Sequence, residues 1–427
     1  MMKNLLNHKL LQKETIPFTG LLIGVVAAAV RAISIRFPAG FSGDELFYWR
    51  EVVRLQEIGW WNMLTTGTSF LYIGLSGLLT HLTGSILLSN RLLSLIPGLL
   101  VIWSLWKMAG LWDISLPVKR VMLLTALAFV FDPSRSPFLF GTNDALMFAC
   151  VAEGVYRLFC WLKYNKLSSL VASAVLFGMG FWVREITLMY LIPLYGAALL
   201  YLIFPSWKPV SRRIGAIALF SGILLCTGIL VHLPALSVNG TSGFEDKNYM
   251  GNWRERDYLS QIRRQPSGSV FAYERVEWAE VRAYKNSGLK PELPATRLEI
   301  LRRDPKMVAD AFASNLLIRC TYLFTLRNGL LFFLFLASFW LFPWVRRKAI
   351  FSQWILLILL ITGYTLEISA ITLHRIEIRW LTLSILFVTL AGSYMLDLLR
   401  IERPKLYRTA LWLQYAVIGL SLAMILI

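Results

Sequence analysis

About eleven stretches of roughly 20 predominantly apolar residues, joined mostly by short charged connections, constrain this chain more than any other feature. A run of that length is what an α-helix needs to cross ~30 Å of hydrocarbon, and in lipid the helix satisfies every backbone N–H and C=O within itself. The runs fall near 16–35, 85–106, 121–139, 141–162, 168–183, 186–205, 214–234, 328–345, 351–371, 380–399 and 409–427. The expected fold class is an all-α polytopic membrane protein. With 57% of its 427 residues hydrophobic, only 16% charged and a mean hydropathy of +0.59, the chain is excluded from the soluble globular class. The stretch Ser69 to Thr83 is apolar but only about 15 residues long, which fits a juxtamembrane or re-entrant segment better than a span.

A net charge of +18 would point to nucleic acid in a soluble protein. Here the basic residues gather in alternate short loops: Lys107 with Lys119 and Arg120, Lys163 with Lys166, Lys208 with Arg212 and Arg213, Arg346 to Lys348, and Arg400 to Arg408. Such a bias predicts a cytoplasmic N-terminus and an external C-terminus, in the cytoplasmic (inner) membrane of a bacterium, with the endoplasmic reticulum as the lesser alternative. No nucleic-acid partner is expected. The first run follows Lys3, Lys9 and Lys13 as a signal peptide would, but the many later spans favour an uncleaved anchor. Cys150, Cys160, Cys226 and Cys320 show no metal-ligand spacing and read as packing residues.

Two external segments are more than turns. Residues 36–68 begin acidic and end in Trp60 and Trp61, which suits a short interfacial helix. Residues 236–315 carry charges of both signs with Gly and Pro punctuation and read as a small extramembrane lid domain, helical over Asp257 to Arg264, Val276 to Asn286 and Leu298 to Asn315. The chain thus divides into an N-terminal membrane module (1–235), the lid (236–315) and the C-terminal membrane helices (316–427). Within the lid, Lys247 to Arg264 interleaves aromatics with charges, as a glycan-stacking surface or an ordinary solvated helix face would.

The strongest chemical signal is Phe41-Ser-Gly-Asp-Glu-Leu-Phe-Tyr-Trp49, which sets two adjacent carboxylates, Asp44 and Glu45, at the membrane surface where an ionised group loses hydration. The same pair also suits the acidic start of a helix. Asp144 opens the fourth span on that face, where Thr142 or Asn143 could cap the helix. Cations recur there against the positive-inside trend: Arg135, Arg184 beside Glu185, and the cluster His374, Arg375, Glu377 and Arg379. They fit either a lipid phosphate or ion pairs among themselves and with head groups. Arg319 and Arg327 read as snorkelling residues at the start of the eighth span. Asn239-Gly-Thr241 matches an N-glycosylation acceptor pattern. Walker, dinucleotide, zinc and Gly-x-Ser-x-Gly motifs are all missing, so no soluble nucleotide cofactor is indicated.

This order of features resembles the GT-C superfamily of integral membrane glycosyltransferases, especially the branch of protein O-mannosyltransferases and lipid A aminoarabinose transferases. The family's Asp-Glu pair with a following Tyr corresponds to Asp44, Glu45 and Tyr48. Thr68-Ser-Phe-Leu-Tyr72 stands where relatives carry a Lys-Pro-Pro-Leu-Tyr-like motif, Ser89-Asn-Arg-Leu-Leu-Ser94 is similar to the family's Arg-Leu-x-Ser opening, and Asp144 matches its second acid. His374, Glu377 and Arg379 resemble its late external cluster. The motif's lysine and both prolines are replaced by Thr68, Ser69 and Phe70, so another cation, such as Arg184, Arg375 or Arg379, must hold the donor phosphate.

The resemblance implies a GT-C-like bundle and inverting transfer of a sugar from a polyprenyl-phosphate donor to a glycan, lipid or protein acceptor on the external face. It implies Asp44 as general base, Glu45 and Asp144 as further catalytic groups, and a substrate-binding set of Tyr48, Tyr72, Arg135, Arg184, His374, Arg375, Glu377 and Arg379. Asp144 would orient an acceptor, a cation or a divalent metal, and the sequence leaves the metal open. The alternatives are a polyprenyl-diphosphate-dependent polymerase or ligase and a lipid-linked glycan transporter.

Overall fold

The structure is a computed structural model. It describes residues 2–40, 44–65, 69–133, 136–203, 210–240, 253–264, 276–289, 292–325, 327–340, 351–371 and 378–427. Among the described residues there are eighteen α-helices and no strand.

The first half comprises α1 (Met2–Arg36), α2 (Glu45–Thr65), α3 (Phe70–Thr83), α4 (Ile86–Leu111), α5 (Leu116–Val130), α6 (Asp144–Tyr164), α7 (Leu167–Val183), α8 (Leu188–Ile203) and α9 (Val210–Leu230). It is followed by α10 (Leu233–Asn239), α11 (Trp253–Arg264), α12 (Trp278–Asn286), α13 (Arg297–Arg303) and α14 (Pro305–Leu323). The chain ends with α15 (Gly329–Trp340), α16 (Phe351–Ile371), α17 (Thr382–Glu402) and α18 (Pro404–Leu426).

Each of the eleven apolar runs contains a helix. Eight helices (α1, α4, α6, α8, α9, α16, α17 and α18) are long and apolar enough to cross a membrane. The other three, α5, α7 and α15, have 15, 17 and 12 residues. The chain is therefore an all-α, multi-pass membrane protein.

At the centre stands α17, whose residues from Thr382 to Leu398 are all buried. Hydrophobic on every side, it is surrounded by α4, α5, α14, α15, α16 and α18. Close approach to α15 depends on Gly392, where a Cβ would run into the Leu331 carbonyl. Polar side chains lock the bundle at both ends. The Arg327–Asp132 pair (2.7 Å) joins the start of α15 to the end of α5, and Gln353 of α16 accepts from the Trp112 indole (2.7 Å) while donating to the Phe159 carbonyl (3.0 Å).

The segment after α1 forms the amphipathic helix α2, buried along Glu45, Tyr48, Val52, Leu55 and Met63. Its regular φ/ψ break at Gly59 (φ 78°), a left-handed conformation that glycine adopts without strain, and Trp60 and Trp61 follow with exposed rings. The short run at 69–83 is α3, packed on α2 and on the start of α4; Gly74 and Gly77 leave room there for Trp60 and Leu55.

The helices α11–α14 share a small core of their own. Tyr258, Ile300, Met307 and Ala311 form one cluster and Leu259, Val276 and Val281 another. Capping boxes at Glu277/Glu280 and Thr296/Glu299 start α12 and α13. The helix expected from Leu298 to Asn315 is two helices, because Pro305 forces Asp304 out of helical geometry (φ −139°, ψ 62°).

Two further expectations are corrected. Arg319 and Arg327 do not snorkel: both are buried, Arg319 within α14 and Arg327 in its ion pair with Asp132. Of the four cysteines, Cys150 and Cys160 are buried as packing residues, whereas Cys226 and Cys320 are exposed on their helices.

Candidate active site

The acidic motif after α1 is held in place by a residue of α4. The Arg91 guanidinium, 2% exposed, donates through Nε and Nη2 to the two Glu45 oxygens (2.8 and 3.0 Å). Its remaining donors reach the carbonyls of Phe37 (2.7 Å), Ala39 (3.0 Å) and Gly40 (3.1 Å). All five N–H groups of the fork are thus spent on one loop, a geometry a lysine could not reproduce. Glu45 also accepts the Gly141 N–H (2.8 Å), and a Cβ at Gly141 would lie 2.8 Å from Asn90 Cβ, so only glycine lets the two loops meet. Fully buried, Glu45 anchors the segment that presents its neighbour Asp44.

Asp44 is the accessible acid, with 32% of its side chain exposed. Arg379, in the 3-10 turn Ile378–Leu381 ahead of α17, donates to it at 2.9 Å and lies 3.5 Å from Asp144. Asp144, 1% exposed at the first turn of α6, is also paired with Arg184, which ends α7. Four chain segments separated by up to 335 residues therefore place two carboxylates and two guanidiniums at one membrane depth. The cluster is electrically balanced, and its accessible rim is formed by Asp44, Arg379 and Arg184, the last two 24% and 18% exposed.

The surroundings are rigid. Asn143 does not cap α6; its amide donates to Ser69 Oγ (2.8 Å) and to the Val183 carbonyl (3.0 Å), tying the starts of α3 and α6 to the end of α7. Thr142 exchanges backbone bonds with Ser94 Oγ. Tyr48 and Tyr72 are buried and meet edge to face at 5.0 Å, and the Tyr72 hydroxyl donates to the Asn90 carbonyl (3.3 Å). They support the loop from beneath and offer no surface to a substrate in this conformation. A further buried cation, Arg319, lies 5.9 Å from the ring of Trp380, the residue after Arg379.

Crowding of the Arg297 guanidinium, followed by Arg254 beside it, pushes its pKa down, while Asp257 and Glu185 oppose the shift. Glu185 adjoins Arg184, so Arg297 at the start of α13 lies within electrostatic reach of the α7–α8 hairpin.

Arg135, His374, Arg375 and Glu377, also expected at this site, lie outside the described residues, as do Thr68 and residues 247–252 of the tract Lys247 to Arg264. Among the described residues no group of three or more His, Cys, Asp or Glu side chains is placed to hold a metal ion. Asp44 and Asp144, each engaged by arginine, do not fit a divalent cation as a donor set. Arg91 lies inside the Arg-Leu-Leu-Ser stretch noted in the sequence. Its role there was not apparent, because nothing local reveals a partner 46 residues away.

No curated protein matches the chain significantly. Residues 71–232, from α3 through the end of α9 and including Arg91, Asp144 and Arg184, match the family described as dolichyl-phosphate-mannose-protein mannosyltransferase. Through this region the chain is similar to that family of GT-C superfamily membrane glycosyltransferases.

Proposed function

We propose that the chain transfers a hexosyl unit, mannose by the family's description, from a polyprenyl-phosphate carrier to an acceptor at the membrane face bearing Asp44. The observation that carries this reading is the position of Arg379 between Asp44 and Asp144, beside Arg184. A sugar hydroxyl or protein hydroxyl is a poor nucleophile at neutral pH. Asp44 takes its proton as the new bond forms at the anomeric carbon, the bond to the phosphate oxygen breaks, and the lipid phosphate leaves with the electron pair. Attack opposite the leaving group inverts the anomeric centre. Arg184 and Arg379 receive the charge gathering on the phosphate, the role the missing lysine would leave to them.

The ion pair also suggests an order of events. Before the donor arrives, Arg379 neutralises Asp44; an entering phosphate competes for the guanidinium and releases the carboxylate beside the acceptor. Glu45 acts through Arg91 as a positioning residue, Asp144 orients the two arginines, and residues 236–315 cover the site and select the acceptor. The location is the cytoplasmic membrane with the site on the external face.

The test is transfer of labelled mannose from polyprenyl-phosphate mannose by membranes containing the full chain. Replacing Asp44 with Asn should lower turnover by about 100-fold or more while the protein remains folded. Turnover within a few-fold of wild type would remove Asp44 as the base.

A further inference from the structure

The half of the bundle remote from this site holds a second charge cluster. Glu153 of α6 accepts from Lys107 Nζ (2.6 Å) and Ser104 Oγ (2.7 Å) of α4 through one oxygen, and from Arg157 Nε (3.0 Å) through the other. The centroid of the Tyr156 ring lies 4.2 Å from Lys107 Nζ and 5.6 Å from the Arg157 guanidinium carbon, so one aromatic ring is shared by both cations. At 1.5 Å per residue, Glu153 is about 14 Å and Arg157 about 20 Å along α6 from Asp144. Arg157 therefore lies in the half of α6 remote from the candidate active site, with Glu153 near the middle of the helix.

This group is open to lipid. Arg157 has 43% of its side chain exposed, Lys107 22% and Glu153 21%, and Trp103, one turn before Lys107, is 57% exposed. One carboxylate balances only one of the two cations, and ionised groups at this depth need compensation. Arg157 spends its Nε on Glu153, and its two terminal nitrogens make no hydrogen bond to the described residues.

We propose that an anionic phospholipid of the leaflet on that side seats its phosphate between Lys107 and Arg157, with its acyl chains along the Trp103 face of α4. The planar Arg157 fork supplies two donors and Lys107 a point charge, the combination suited to a lipid phosphate. Basic pockets between membrane helices on the positively charged side hold anionic head groups in this way. Glu153 holds the two cations together and leaves one of them uncompensated.

The experiment is native mass spectrometry of the full-length protein in micelles containing either phosphatidylglycerol or phosphatidylcholine. Wild type should retain phosphatidylglycerol preferentially, and K107Q/R157Q should bind one such lipid fewer, each cation contributing about fivefold in affinity, or ~1 kcal/mol. Millimolar inorganic phosphate should not displace the lipid. E153Q, which retains both cations, should hold phosphatidylglycerol at least as tightly as wild type. Equal retention by wild type and K107Q/R157Q overturns the proposal, as does displacement by inorganic phosphate. If K107Q/R157Q fails to fold, a drop in phosphatidylglycerol retention by folded E153Q overturns it instead.

Discussion

Replacing Arg91 with Met tests whether the loop bearing Asp44 depends on a single guanidinium. The substitution keeps much of the side-chain volume but leaves Glu45 buried with one described donor, the Gly141 N–H at 2.8 Å, in place of three. Removing one partner of a buried ion pair costs about 3–5 kcal/mol, chiefly through the stranded charge. The carbonyls of Phe37, Ala39 and Gly40 also lose their common donor, but a loosened loop can hydrate them, so their contributions do not simply add. Adding Glu45→Gln removes the stranded charge. The double variant should therefore be more stable than Arg91→Met alone, within about 1–2 kcal/mol of wild type. Activity should stay low in both, because neither holds the loop that positions Asp44. Reversible unfolding in mixed micelles with rising SDS, followed by tryptophan fluorescence, gives the three stabilities, and mannosyl transfer gives the activities. The reasoning fails if Arg91→Met lies within about 1 kcal/mol of wild type or if Glu45→Gln destabilises it further.

Arg379→Lys keeps the charge but moves it, because the shorter, strongly hydrated ammonium replaces the Nη1 that lies 2.9 Å from Asp44 and 3.5 Å from Asp144, so donor KM should rise and kcat fall together; unchanged steady-state constants would remove Arg379 from the site. Gly392→Ala drives a methyl group into the Leu331 carbonyl at the central helix crossing and should lower stability by about 3 kcal/mol, read as lost monodisperse protein on gel filtration. In the lid, the Arg263 ion pair and the Glu277 backbone N–H hold the Glu280 carboxyl below the usual range, and backbone N–H groups of Thr296 and Ala295 do the same for Glu299. Both folded-state pKa values lie under the unfolded value of about 4.3, so the stabilisation is complete above that pH and is lost as pH falls through the lowered values. Hydrogen exchange at residues 278–303 should therefore accelerate below about pH 4 before the membrane helices respond; unchanged protection there would contradict it.

The membrane helices were legible because burial in lipid imposes a length and a composition on each span, and α1, α4, α6 and α18 fall close to their apolar runs. The break at Asp304–Pro305 was also within reach, since the restriction a proline places on its predecessor is local. Asp44 and Asp144 could be named individually, as carboxylates where carboxylates are costly. That they share Arg379 could not be read, because no local rule pairs residues 335 positions apart. Arg91 was hidden for a related reason. In sequence it is one more arginine at a helix start, and only the folded chain shows its five donors converging on the loop before α2.

The fully enclosed helix α17 has a consequence for how the molecule is made. The helices that surround it, from α4 onwards, mostly precede it in the chain, so the contacts that enclose residues 382–402 form only after those residues have been made. The turn carrying Arg379 arrives at the same moment. Closure of the scaffold and completion of the acid cluster are then one event, late in translation. The region 71–232 that matches the transferase family contains neither the pillar it packs around nor the arginine that joins its acid to Asp44. Neither the enclosed bundle nor the charge cluster can be complete before residues 378–402 have been made.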